Sequence, residues 1–197
     1  MDEELVEYSP QELIAEVKVI ISSGELNDER FKYIGDLLHK LASRSDLKSI
    51  GEHRGKGVNA VDSYVLYRDD EPDGPIIILA EFDKPTKIHN HGTWGVMCAY
   101  EGREKYKQWK RMDEGDELGK ATLRLVTDIV LDVGDIVWWP DVPNDIHMQD
   151  PIDDSMWQLV LMGRNTLGGD EEHYDPDLGL RWPADIPPHM RSSKTRG

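Results

Sequence analysis

The chain has 197 residues, 38% of them hydrophobic and 31% charged, which fits one ordinary globular domain with its own apolar core. A formal net charge of −16 excludes a binder that tracks nucleic-acid phosphates, which needs a basic face, and disfavours adsorption to an anionic membrane. The single cysteine, Cys98, excludes an intramolecular disulfide and a zinc ribbon.

Met1-Asp2-Glu3-Glu4 has neither the basic nor the apolar part of a signal peptide. No apolar run approaches the ~20 residues that span a bilayer. The expectation is a cytoplasmic monomer or homodimer that takes a small molecule as its partner, with no nucleic acid and no membrane.

In chain order, the first fifty or so residues read as helical. Ser9 is an N-cap, Pro10 sits at the first helical position and Glu12 completes a capping box. Leu13, Ile14, Val17, Ile20 and Ile21 follow at helical spacing, and Gly24 marks the stop. Asn27 caps a second helix whose apolar stripe is Phe31, Ile34, Leu37, Leu38 and Leu41, with His39 off the stripe.

From about Val58 the period changes to that of strands. Ser63 to Tyr67 reads as a strand, Asp69 to Pro75 as a turn, and Ile76 to Ala80 as a strand buried on both faces. Further strands are expected over Val96 to Tyr100, Glu104 to Lys110, Thr122 to Leu131, Ile136 to Trp139 and Met156 to Met162. Turns fall near Glu101-Gly102 and at Val133-Gly134-Asp135. From Gly163 the chain should wrap over the barrel with little regular structure, ending in a frayed tail at Arg191 to Gly197. Many short strands with regular turn signals imply an all-β sandwich or barrel. The expected organisation is a helical segment over 1–57 packed on a barrel over 58–197, as one domain.

The chemistry gathers around Lys87-Ile88-His89-Asn90-His91-Gly92-Thr93-Trp94-Gly95. Residues two apart on a strand share a face, so His89 and His91 can aim two neutral imidazoles at one point. That is half of a site suited to Zn, Cu, Fe or Ni; the bland alternative is a pair of exposed or packed histidines near a turn. His147, in the turn-rich Pro143-Asn144-Asp145-Ile146-His147, is a candidate third ligand. His53, His173 and His189 lie in loops or the irregular tail and are weaker candidates.

These residues resemble the two motifs of the cupin superfamily. His89, His91 and Gly102 match the first, with Gly95 or Val96 where that motif has its glutamate and Asp83 where it has its first glycine. Gly134, Pro140 and His147 match the second, with the histidine two positions late and Pro151 in place of an asparagine. The resemblance implies a cupin double-stranded β-helix, a jelly-roll barrel, with two N-terminal α-helices. A cupin with three histidines and no glutamate is similar to the thiol dioxygenase branch, the cysteine and 3-mercaptopropionate dioxygenases. Val65-Leu66-Tyr67, Thr93-Trp94-Gly95-Val96, Tyr100-Glu101-Gly102-Arg103-Glu104, Asp145-Ile146-His147 and Tyr174-Asp175-Pro176 extend the similarity across about residues 60 to 180.

What the resemblance implies is a mononuclear non-heme Fe(II) enzyme, with His89, His91 and His147 as ligands, that oxidises a small thiol to a sulfinate with dioxygen. Zn, Ni or Mn would also suit three histidines. Asp145 offers an alternative, a site of two histidines and one carboxylate. The implied pocket is lined by Ser63, Tyr67, Trp94, Gln158, Val160 and Met162. Gln158, Val160 and Met162 replace the family's Ser-His-Tyr relay, and Ser63, with Arg68 nearby, falls where the family binds a substrate carboxylate. Tyr67, Tyr100 and Tyr106 are candidate hydroxyl donors, and no thioether crosslink is expected at Cys98. Two other readings compete: a lyase, isomerase or hydrolase using the metal as Lewis acid, and a metal-dependent binding cupin without turnover.

Overall fold

The computed structural model describes residues 7–184, apart from 72, 116 and 168–170; His189 and the tail from Arg191 lie outside them. Helix α1 (Pro10–Ser22) opens with the expected capping box: Ser9 Oγ accepts from the Glu12 amide at 3.2 Å while the Glu12 carboxylate accepts from the Ser9 amide at 2.8 Å. Asn27 caps α2 (Asp28–Ala42), and both apolar stripes are buried except for the half-buried Ile21. A third, one-turn helix, α3 (Leu47–Ile50), adds to the two that the sequence pattern implies.

The rest is two six-stranded antiparallel sheets. The first runs β1 (Glu52–His53), β2 (Asp62–Arg68), β3 (Ile76–Phe82), β10 (Met156–Met162), β5 (Gly95–Glu101), β8 (Ile136–Trp139). The second runs β12 (Leu180–Pro183), β11 (Glu172–Asp175), β4 (Ile88–His89), β9 (Ile146–Pro151), β6 (Glu104–Arg111), β7 (Leu123–Leu131). They face each other as a jelly-roll barrel. Sheet pairing starts at Glu52, ahead of the change of period at Val58.

The first sheet is apolar on both faces because both are covered. Alternate residues Ile77, Leu79, Val96, Cys98, Leu159 and Leu161 pack outward against α1 and α2. Their neighbours Ile76, Met97, Ala99, Val160 and Met162 point inward and meet Tyr106, Leu131 and Trp139. The segment after Gly163 is more regular than expected: β11 and β12 form a hairpin that adds two strands to the second sheet. The turn residues around it mask its alternation in the sequence. Among the described residues, no helix is long and apolar enough to cross a membrane.

Candidate metal centre and cavity

Strand register brings the three histidines together. His89 on β4 is the cross-strand partner of His147 on β9, so their side chains leave one face of the sheet side by side. His91 arrives by a different route from the one expected. Strand β4 ends at His89, so His91 sits in the turn beyond it, and strand alternation does not place it. Gly92 supplies a left-handed turn (φ 69°), and one Asp145 carboxylate oxygen accepts from the amides of His91 and Gly92 at 3.1 and 2.6 Å. The candidate ligand atoms of His89, His91 and His147 lie within 4.8 Å of one another. Their ring centroids are 4.7–5.1 Å apart.

The hydrogen bonds assign the tautomers. His89 Nδ1 donates to the Lys87 carbonyl at 2.8 Å and His147 Nδ1 to the Asp145 carbonyl at 3.1 Å, leaving the Nε2 lone pairs free. His147 Nε2 is buried and has no protein partner among the described residues. A buried, neutral nitrogen with an unused lone pair aimed at two other imidazoles fits a divalent metal. Burial and the neighbouring His89 hold the His91 imidazole down to about 3, and burial depresses His147 well below its ordinary value. Both are therefore neutral at physiological pH, as a metal-ligating imidazole would have to be.

Asp145 does not join the cluster as the alternative ligand. It lies just before β9 and its carboxylate is turned to the His91-Gly92 backbone. Its role is to hold that turn. Trp139 supports the same group: its ring is 4.3 Å from that of His147 and 5.8 Å from that of His91, and its Nε1 donates to the Thr93 carbonyl at 3.0 Å.

His89 and His91 line a cavity of about 130 Å³. That is close to the size that holds a benzene-sized ligand, ~150 Å³. Ser63, Gln158, Val160 and Met162 all line it, as expected; Tyr67 and Trp94 do not. A bulge between Val65 and Tyr67 breaks the alternation of β2, so Tyr67 packs against the outer cluster and donates to Asp69 at 3.2 Å. Trp94 meets Phe31 of α2 edge-on at 6.1 Å, outside the barrel. Arg68 is exposed at the far end of β2. Tyr100 donates to the Arg44 carbonyl at 2.9 Å, leaving Tyr106 as the candidate tyrosine near the histidine cluster, its ring 5.8 Å from that of His147. His39 is exposed and His53 pairs with Asp62 on the surface.

Two carboxylates that sequence reasoning does not single out stand close to the cavity. Glu104, 1% exposed, accepts from Gln158 Nε2 at 2.6 Å. Burial pushes its carboxyl up to about 8, partly offset by that hydrogen bond. Glu171 lines the cavity, and its Oε1 accepts from Asn59 Nδ2 at 3.0 Å and lies 3.3 Å from His173 Nε2. In the sequence Glu104 is one residue of a run that resembles a family, and Glu171 falls in a stretch that reads as irregular. A glutamate at an inward-facing strand position is a signal that could have found Glu104; nothing local marks Glu171.

Fold and site together define a jelly-roll barrel with a three-histidine candidate metal centre. No protein-family model and no curated protein matches the sequence. Among solved structures the chain is similar to one described under the DMSP lyases RdDddP and RnDddQII, at 16% identity over 83% of this chain and 78% of that one, with a TM-score of 0.44. It is also similar to the hydroquinone 1,2-dioxygenase PnpCD (9% identity, 57% and 68% coverage, TM-score 0.43). A third is a cupin superfamily protein from Desulfitobacterium hafniense DCB-2 (14% identity, 52% and 76% coverage, TM-score 0.36). At these scores the likeness carries no reaction, metal or substrate over to this chain.

Proposed function

We propose that this protein is a mononuclear non-heme iron dioxygenase that oxidises a small thiol to a sulfinate. The observation that carries the reading is the set of three clustered imidazoles, without a carboxylate among them, two of which line a small cavity. When bound there, a divalent iron would keep its full double charge, favour the thiolate over the thiol and activate dioxygen. The overall change is RSH + O2 → RSO2H: both oxygen atoms end on sulfur, which gives up four electrons, and the hydrogen count is unchanged.

The protein's own side chains prepare this chemistry. Lys87 and Asp145 carbonyls fix two ring orientations through Nδ1, which keeps the free nitrogens aimed at one point. Ile78, Phe82, Val160 and Met162 form an apolar wall that keeps water from the reacting sulfur. Gln158 contributes the polar group of that wall, held by Glu104 from behind. One observation favours a second reading, a Lewis-acid lyase or hydrolase with Zn, Ni or Mn: Gln158, Val160 and Met162 offer no side chain that readily transfers a proton.

The test is an oxygen-electrode assay of anaerobically iron-loaded protein with a panel of small thiols, with products identified by mass spectrometry. Oxygen uptake matched by sulfinate at one-to-one stoichiometry is expected. Turnover of a substrate without oxygen, by protein loaded with zinc, would replace this reading with the second one.

A further inference from the structure

The polar atoms around the cavity are biased toward hydrogen-bond acceptors. Glu171 is the charged side chain among the described lining residues, its hydrogen-bonding partners being the amide of Asn59 and the ring of His173. No lysine or arginine lines the cavity among them. Gln158 spends its amide donors on Glu104 and the Met156 sulfur, which leaves its carbonyl oxygen for a ligand. A proton on the other Glu104 oxygen would leave that bond intact. The Ser63 hydroxyl donates to the Gly55 carbonyl at 2.7 Å, so its remaining capacity is also to accept. Asn59, with its NH2 turned to Glu171, has its carbonyl oxygen left. The counter-example is Gln149, whose carbonyl accepts from Thr86 at 3.1 Å and whose NH2 is left over.

Such a lining matches one kind of charged group. An ammonium has three donors and no acceptor, and a carboxylate the reverse. A buried carboxylate facing substrate without a lysine or arginine beside it in the lining stabilises a positive group and repels a negative one. We propose that the substrate carries a protonated amine and no carboxylate, the ammonium being received by Glu171 within reach of the acceptor oxygens of Gln158 and Asn59. Among small thiols this selects an aminoalkanethiol over an amino acid or a mercapto acid. The thiol part rests on the function proposed above; the charge preference rests on the lining alone.

Glu171 owes its place to tertiary contacts. Asn90, between the two histidines of β4 and its turn, exchanges hydrogen bonds with the Glu172 backbone, donating at 3.2 Å and accepting through its side chain at 2.8 Å. The same turn that presents His91 therefore fixes the start of β11.

The experiment is calorimetric titration, under nitrogen, of zinc-loaded protein with 2-aminoethanethiol and with 3-mercaptopropionate, which have similar size and the same thiol but opposite charge. The amine should bind about tenfold tighter or more, the scale of one charge-assisted hydrogen bond. Glu171→Gln should keep its zinc, measured by mass spectrometry, and lose most of that preference; Glu171→Lys should reverse it. Tighter binding of the mercapto acid by the wild type overturns the proposal, as does a preference that survives Glu171→Gln. Loss of zinc in Glu171→Gln also overturns it, by making Glu171 a ligand. Because the wild-type comparison needs no variant, misfolding of a variant does not block it. Preferential binding of the amine with no oxygen uptake by the iron form would sink the dioxygenase reading and leave this one standing.

Discussion

Gln158 and Glu104 are joined across the interior of the barrel: β10 belongs to one sheet, β6 to the other, and the amide nitrogen lies 2.6 Å from the carboxylate oxygen. The pair links the cavity wall to a buried acid whose other oxygen has no partner among the described residues. An acid raised by burial from its ordinary value of 4.5 to about 8 keeps its proton in the folded state over a range in which the unfolded chain loses it. Stability is therefore greatest below the unfolded value, declines as pH rises through that window and levels off above the folded value.

Glu104→Gln removes this titration while keeping the shape. Relative to wild type, the variant's Tm should rise as pH is increased from about 5 to about 8, by an amount equivalent to a few kcal/mol at most. Thermal melts of both proteins across that range check it. A difference independent of pH would mean that Glu104 ionises as easily folded as unfolded.

Gln158→Ala takes away one of the cavity's side-chain amides and leaves Glu104 without its donor. Removing an interaction that substrate makes equally in the ground and transition states raises KM and spares kcat. The expected result is a KM increase of about tenfold with kcat changed by less than about threefold, read from initial rates on the best substrate. A fall confined to kcat would place Gln158 in the chemical step instead.

Replacing His89, His91 or His147 by alanine should strip most of the metal, measured by elemental analysis after dialysis. The metal-free wild type carries a further signature. His91 and His147 are depressed below their ordinary 6.5, so their neutral state contributes stability that is present above about pH 6.5 and lost as pH falls below it. The apo form should lose Tm over that range more steeply than an apo His91→Ala variant. Parallel curves would show that the buried rings are protonated without penalty.

Asp145→Asn tests the turn that carries His91. The amide keeps one acceptor oxygen but loses the charge that strengthens two backbone bonds at 3.1 and 2.6 Å. Metal affinity should fall by about 10- to 100-fold, the usual range when the support of a ligand is altered, without loss of stoichiometry at saturating metal. If saturating metal no longer bound at one ion per chain, Asp145 would have to be counted as a ligand.

Gly95 is the first residue of β5 and its cross-strand partner is Trp139. A Cβ added there would run into the Trp139 ring, which packs against His147. Gly95→Ala should therefore cost about 1–3 kcal/mol by overpacking and weaken metal binding as well. Chemical denaturation together with a metal titration measures the two effects; a destabilised variant with unchanged metal affinity would show that Trp139 can shift without moving His147.

The sequence by itself determined what depends on near neighbours. The Ser9–Glu12 capping box, the stripe from Phe31 to Leu41 and the span Met156–Met162 follow from local hydrogen bonding and side-chain period, and the motif residues His89, His91 and His147 can be nominated from the chain alone. Only the tertiary structure decided how they meet. The pairing of His89 with His147 is a matter of register between distant strands, and His91 is held by a carboxylate far along the chain. One bulge turns Tyr67 away from the cavity against the expectation of alternation. Glu171, in a stretch with no periodic signal, gains its position from Asn59 and Asn90. Local sterics and period are written in adjacent residues; register, bulges and cavity charge arise from contacts between segments whose separation in sequence carries no trace of their proximity in space.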